Sequence, residues 1–373
     1  MNSIQNYLKE HPNIIAVIKL IFFLYLFLFS LQLMGDALKL FGKDFSETLI
    51  STTSNPFVGL FIGILATSIV QSSSSTTSIV VGLVAGGAIG IDSAIPIVMG
   101  ANIGTSITNI LASLPQINRS NEFRKAFAAA VVHDFFNFLS VLLLFPIQLA
   151  TNFLGILASK MTNVFEGIGG LSFLSPVKAL TKPVSEFMVE KSLTILPNED
   201  FAGWVLLIIA IIFLFLALKY MVSALKVLVV SKAKDWFNKY LFKNPLRAFV
   251  VGIILTVMVQ SSSITTSLMV PLAGAGLLTL RQVFPYTIGA NLGTTITAIL
   301  AALITNQPAA VVVAFSHLLF NLCGTLVWWP LGSVPITMAE KFAEYSTRSK
   351  FIPVAFVLTI FFIIPILVIL ISN

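Results

Sequence analysis

The sequence predicts an all-α polytopic membrane protein built as two inverted repeats, each with a re-entrant helix hairpin and a broken transmembrane helix. Three observations carry this. Apolar residues make up 57% of the 373 residues and charged residues only 10%, against roughly a quarter charged in soluble domains. A polar octad, QSSSSTTS at 71–78, interrupts an apolar stretch, and nearly the same octad, QSSSITTS, returns at 260–267. Around the octads, residues 55–114 align with 244–303 at a constant offset of 189, with 28 of 60 positions identical. That is an internal duplication.

The elements follow in order. Residues 13–34 are expected as a retained first span, because no basic n-region and small-residue cleavage site precede them. Residues 57–90 would make a helix of roughly 50 Å, too long for one ~30 Å crossing and short for two. Two half-length arms meeting at the octad fit instead, and 246–280 repeats the pattern. The next segment carries GANIG (100–104), and its copy carries GANLG (289–293). Two glycines and an Asn within five residues weaken a helix, so both segments are expected to break there. Ordinary spans are expected at 124–146, 203–229, 309–329 and 351–371, with 148–165 interfacial or partial. The organisation is then a scaffold span and connection (1–54), repeat 1 (55–146), an inter-repeat connection (147–200), a scaffold span and basic loop (201–243), repeat 2 (244–330) and a C-terminal segment and span (331–373).

Charge tests this layout. The net charge of +7 would suit nucleic acid, but the basic residues cluster beside apolar spans. The clusters are Arg119, Arg124 and Lys125, then Lys219 to Arg247, then Lys341, Arg348 and Lys350. With the N-terminus cytoplasmic, all three fall inside, so the partner is a lipid bilayer and no nucleic acid is expected. The location expected is the cell (inner) membrane. Three crossings between Gln71 and Gln260 make the repeats inverted, which is the pattern of a secondary transporter with a midplane site. A crossing by 148–165 would reverse that parity.

Polar backbone and hydroxyl groups at membrane depth are tolerated only inside protein or beside a cavity. Half-helix N-termini suit an anion, and free carbonyl, amide and hydroxyl oxygens suit Na⁺. Two serine-rich tips could replace the hydration shell of a small tetrahedral oxyanion with neutral donors, and co-bound Na⁺ would add countercharge and driving force. Asn102 and Asn291, inside the GANxG motifs, are candidate sodium ligands. Asp134 lies within a span and is a functional candidate, although His133 could simply neutralise it. Asn137 and Asn321 match between copies and could equally be helix-pairing contacts. Single Cys323 excludes a disulfide framework. There is no nucleophile–base pair, metal-ligand cluster or nucleotide loop, so an enzyme is not expected and no cofactor is expected beyond Na⁺ as coupling ion. Rival readings are a symporter of another small anion, such as a carboxylate or sulfate, and an ion channel with polar loops as its filter.

The stretches QSSSSTTSIVVGLVAGGAIGIDSAIPIVMGANIGTSITN, EFRKAFAAAVVHDFFNFLSVLLLFP, VQSSSITTSLMVPLAGAGLL and GANLGTTITAILAAL resemble the type II sodium-dependent phosphate cotransporters, solute carrier family 34, over roughly residues 50 to 335. The resemblance implies electrogenic Na⁺-coupled uptake of inorganic phosphate. It assigns phosphate to Gln71, Ser72, Ser73, Ser74, Gln260, Ser261, Ser262 and Ser263, with Arg119. It assigns sodium, the only metal expected, to Gln116, Asn137, Ser262 and Thr266, with Asp134 marking an extra, charge-carrying site. A homodimer is admitted as a partner state. The chain departs from the animal pattern in two places. Asn118 stands where the family has an acidic residue near the arginine, and 147–200 holds neither cysteine nor glycosylation sequon, which favours a compact bacterial form.

Overall fold

The computed structural model describes residues 12–41, 53–167, 175–240 and 244–372, with backbone only at 12–13, 175–179, 221–222 and 225–240. All regular structure among them is helical. Among the described residues, seven helices are long and apolar enough to cross a membrane.

The first helix, α1 (Pro12–Lys39), is apolar all round, as a membrane span should be. α2 (Pro56–Val70) and α3 (Ser73–Ala85) are the two arms around the first octad. α4 (Ile91–Gly104) and α5 (Ile107–Ser113) follow, with a 3-10 turn at Leu114–Gln116. α6 (Ser120–Thr151) runs unbroken through Pro146 and ends at Asn152 in the left-handed region, φ 48°. α7 (Phe153–Gly167) is too short to count among the seven spans. α8 (Ser175–Ile195) and α9 (Glu199–Tyr240) complete the middle of the chain; Lys243 of the basic loop lies outside the described residues. The second copy comprises α10 (Pro245–Val259), α11 (Ser262–Ser267), α12 (Met269–Gly274), α13 (Leu280–Thr305) and α14 (Pro308–Trp328). An amphipathic helix, α15 (Ser333–Ser346), precedes the last span. That span is α16 (Phe351–Leu358), a wider π-type turn at Thr359–Ile363, and α17 (Ile364–Ser372).

The duplication is visible as packing. α2 lies against α4, and α10 lies against α13, each pair close enough for backbones to touch. A Cβ added at Gly63 would sit 2.0 Å from the Ile97 carbonyl oxygen, and one at Gly252 2.2 Å from that of Tyr286. A Cβ at Gly100 would sit 1.9 Å from the Leu60 carbonyl, and one at Gly289 2.1 Å from that of Phe249. Both residues of each contact shift by the same 189. Small residues at a helix crossing allow this approach where lipid gives no hydrophobic drive.

This packing corrects one expectation. α13 runs continuously through GANLG, so the second repeat has no broken helix there. Gly289 and Gly293 instead form the face pressed on α10, and that close packing offsets their ~1 kcal/mol propensity cost. In the first copy the helix does break, one residue beyond GANIG, at Thr105–Ser106. There Ser106 N–H bonds back only three residues, to the Ile103 carbonyl at 3.4 Å.

α1 and α9 form a separate pair. Phe23 stacks on Tyr220 at 4.9 Å and Phe41 meets Trp204 edge-on at 4.9 Å. Asp36 of α1 accepts from Gln32 (2.8 Å) and Ser185 of α8 (2.8 Å) and pairs with Lys39 (2.9 Å), which ties α8 to this pair.

Candidate functional site: a cavity between two octads

Each octad folds by the same local devices. Asn55 and Asn244 cap α2 and α10 through bonds from Phe57 N (3.0 Å) and Leu246 N (2.8 Å). Those arms end at Gln71 and Gln260, both left-handed with φ 56° and 55°. A non-glycine residue there costs about 1–2 kcal/mol, and the bond from each Gln N–H to the Thr67 or Thr256 carbonyl, 2.7 Å in both, holds it. Ser72 and Ser261 then cap the second arms, accepting from Ser75 N (3.2 Å) and Ile264 N (3.4 Å). The break therefore uses the backbone of the Gln and the side chain of the first Ser. At the position that differs, Ser75 against Ile264, the two copies share the backbone N–H bond, and the Ser75 hydroxyl adds a second bond to Ser72 Oγ at 2.9 Å.

The two breaks meet. Ser74 Oγ donates to the Gln260 carbonyl at 3.5 Å. Together they line a cavity of about 400 Å³. Of the residues assigned to phosphate, Gln71, Ser72, Ser74, Gln260, Ser261 and Ser263 are in its wall. Ser73 and Ser262 are buried and turn away from it; Ser262 offers its carbonyl to Thr265 (3.0 Å) and Thr266 (2.7 Å). Arg119 is not in the wall. It is exposed and pairs with Glu122 at 3.0 Å.

The cavity is chemically asymmetric. Gln260 is held by Thr297, whose hydroxyl donates to Oε1 at 2.7 Å, and by a bond from Nε2 to the Val257 carbonyl. The counterpart of Thr297 is Thr108, itself in the wall, whose hydroxyl has no partner among the described residues. Gln71 is exposed there. The α3 N-terminus opens beside it, and the Ser73 and Ser74 N–H groups have no intrahelical acceptor. Such a terminus suits an anion.

The candidate sodium residues form a second, buried group. Asn291 donates to Asn137 Oδ1 (3.0 Å) and Asn321 Oδ1 (2.6 Å), and its own Oδ1 lies 3.1 Å from His133 Nε2. Asn137 donates to the Asn102 carbonyl at 2.8 Å. Asn102 Oδ1 lies 3.3 Å from both His317 Nε2 and Asn321 Nδ2. Each repeat's histidine thus reaches the other repeat's GANxG asparagine. Asp134, adjacent to this network, is fully buried, with the Ser106 side chain beside its carboxylate and no ion pair to it among the described residues, so His133 does not neutralise it by direct contact. Thr266 donates to Asn109 Oδ1 at 2.9 Å, linking α11 to α5. Gln116 lies in the 3-10 turn with a buried Oε1 that has no partner among the described residues.

Sequence reading missed four residues here. Thr108, Asn109 and Thr297 sit in matched stretches, but nothing in their spacing marks them as neighbours of the octads. Lys219 reads as an ordinary basic residue at a span end, yet it lines the cavity with Phe215, Leu218 and Ser223 of α9.

Comparison with known proteins adds an independent finding. The family described as Na+/Pi-cotransporter matches residues 26–174 and 212–339. The chain is 33% identical to the sodium-dependent phosphate transport protein 2B of Homo sapiens, over 94% of this chain and 64% of that protein. The 2B protein of Pongo abelii gives the same figures. Identity to the sodium-dependent phosphate transport protein 2A of Rattus norvegicus is 32%, over 93% of this chain and 66% of that protein. The chain thus spans a little under two thirds of the length of these relatives. No solved structure matches.

Proposed function

Because the chain belongs to the Na+/Pi-cotransporter family, we propose that it is a secondary active symporter importing inorganic phosphate with sodium by alternating access. The observation that carries the reading is one cavity shared by both octads, whose octad wall is serine hydroxyls and glutamine amides and which no carboxylate lines among the described residues. Neutral donors can satisfy a multi-acceptor oxyanion, and unlike a buried arginine they carry no large cost when the site is empty. Gln71, Ser72, Ser74, Gln260, Ser261 and Ser263 hold phosphate in this reading.

Sodium sites at Thr266, Ser262 and Gln116 and around Asn102, Asn137 and Asn291 belong to the proposal. The Ser262 carbonyl, the Thr266 hydroxyl and the buried Gln116 Oε1 are oxygens of the right hardness. Asp134 provides the extra site that makes transport electrogenic; its fully buried carboxylate, without an ion pair among the described residues and matched by Leu318 in the second repeat, favours that role. Three candidate spans separate Gln71 from Gln260, namely Ile91–Gln116, Ser120–Thr151 and Glu199–Tyr220. An odd count supports inverted repeats. The α1–α9 pair is the scaffold against which the hairpins and α4, α5 and α13 move. Arg119, outside the cavity wall, joins the phosphate only through such a movement.

Substrate identity is tested by competition. Excess unlabelled phosphate should abolish uptake of labelled phosphate, and excess sulfate or a small carboxylate should leave it intact. Equal inhibition by sulfate would replace phosphate with a broader anion class.

A further inference from the structure

Among the described residues, Lys219 is the one charged side chain in the wall of the octad cavity. It lies on α9, and Ser223, one turn further along the same helix, is in the wall too. Both are exposed. Lys219 makes no ion pair among the described residues; the contact it does make is with the Tyr220 ring, 5.7 Å from its Nζ. An exposed ammonium at an open mouth keeps most of its hydration. Every other described residue in the wall is neutral. This cation therefore adds to the anion-favouring field of the α3 N-terminus, and low-dielectric walls focus such a field onto the site.

The position of Lys219 in the fold matters as much as its charge. The octads belong to the two duplicated units, whereas Lys219 belongs to the α1–α9 pair. An anion held by the serines faces a cation that does not travel with them. When the duplicated units move relative to α9, the distance from the site to this charge must change.

We propose that Lys219 is a specificity-determining residue that draws the anion into the octad cavity in one access state only, so that apparent phosphate affinity differs between the two faces of the membrane. The inference rests on the phosphate-symport reading. A single charge acting on a phosphate mono- or dianion several ångströms away in a partly aqueous mouth changes affinity by roughly threefold to tenfold. Salt screens it over about 10 Å at 0.1 M.

The test uses the full chain in proteoliposomes of assigned orientation. The KM for labelled phosphate is measured from each face for wild type, Lys219→Gln, Lys219→Glu and Lys219→Arg. Expected is a KM raised roughly threefold to tenfold by Lys219→Gln on one face, raised further by Lys219→Glu and restored by Lys219→Arg. The other face, the maximal rate and the KM for Na⁺ should be unchanged, and raising the salt should narrow the gap. The unchanged face also reports that the variants fold. Equal KM values for wild type and Lys219→Gln on both faces, or equal shifts on both, would overturn the inference and leave the symport reading standing. Absence of Na⁺-dependent phosphate uptake by wild type would overturn both.

Discussion

Gly100→Ala is the sharpest structural perturbation. The added methyl would lie 1.9 Å from the Leu60 carbonyl oxygen and 2.9 Å from its carbon, with Ile64 N at 3.0 Å. The oxygen contact is roughly 1.5 Å short of ordinary van der Waals separation. The opposing atoms are backbone, so no rotamer change relieves the clash and α2 and α4 must part. Overpacking of this kind costs about 1–3 kcal/mol, and a backbone-to-backbone clash belongs at about 3. That lowers Tm by roughly 5 °C or more. Because α2 leads straight into Gln71, parting the helices also moves one wall of the cavity, so phosphate uptake should fall with stability. Gly289→Ala, 2.1 Å from the Phe249 carbonyl, should reproduce the effect in the second copy. Gly35→Ala is the control: nothing lies within 4 Å of its added methyl, and in mid-helix it should be neutral or gain up to about 1 kcal/mol. Thermal unfolding in detergent with parallel uptake reads all three. A Gly100→Ala protein with wild-type Tm and uptake would refute the claim that these glycines set the helix contact.

Other outcomes follow from the site. Asn291→Ala removes three buried bonds, each worth about 0.6–1.7 kcal/mol within a membrane protein, so it should destabilise by about 2–5 kcal/mol; an unchanged Tm would remove the network from the account. Asp134→Asn should keep phosphate uptake while lowering the net charge moved per phosphate, read by current and tracer flux on the same vesicles; an unchanged ratio would deny Asp134 its coupling role. Gln71→Ala and Gln260→Ala should each cut transport at least about tenfold with thermal stability close to wild type, and full activity in both would take the octads out of the site.

Much of this was legible in the chain because duplication doubles every signal. The octads mark the breaks correctly since both copies turn left-handed at the Gln and cap the next arm with the first Ser. Span lengths follow from helix rise alone. The GANxG motif misled in the second copy because glycine carries two meanings, a weak helix and a close contact, and only the partner helix decides between them. The asparagines could be read as ligands or as helix-pairing contacts; the structure shows them bonded to one another across the repeats. Asp134 was legible as an unusual charge. Lys219 was not, because a basic residue at a span end has an ordinary explanation and only the path of α9 brings it to the cavity. Thr108 and Thr297 were equally silent: they are identical in sequence, and their different bonding arises from packing.

The central claim is coupling of phosphate to sodium, and one flux measurement addresses it. Proteoliposomes holding the full chain are given labelled phosphate under an inward Na⁺ gradient, or under an equal K⁺ gradient. The account predicts transient accumulation of phosphate above its equilibrium level with Na⁺ and none with K⁺. Uptake at the same rate and to the same level with either cation would contradict it.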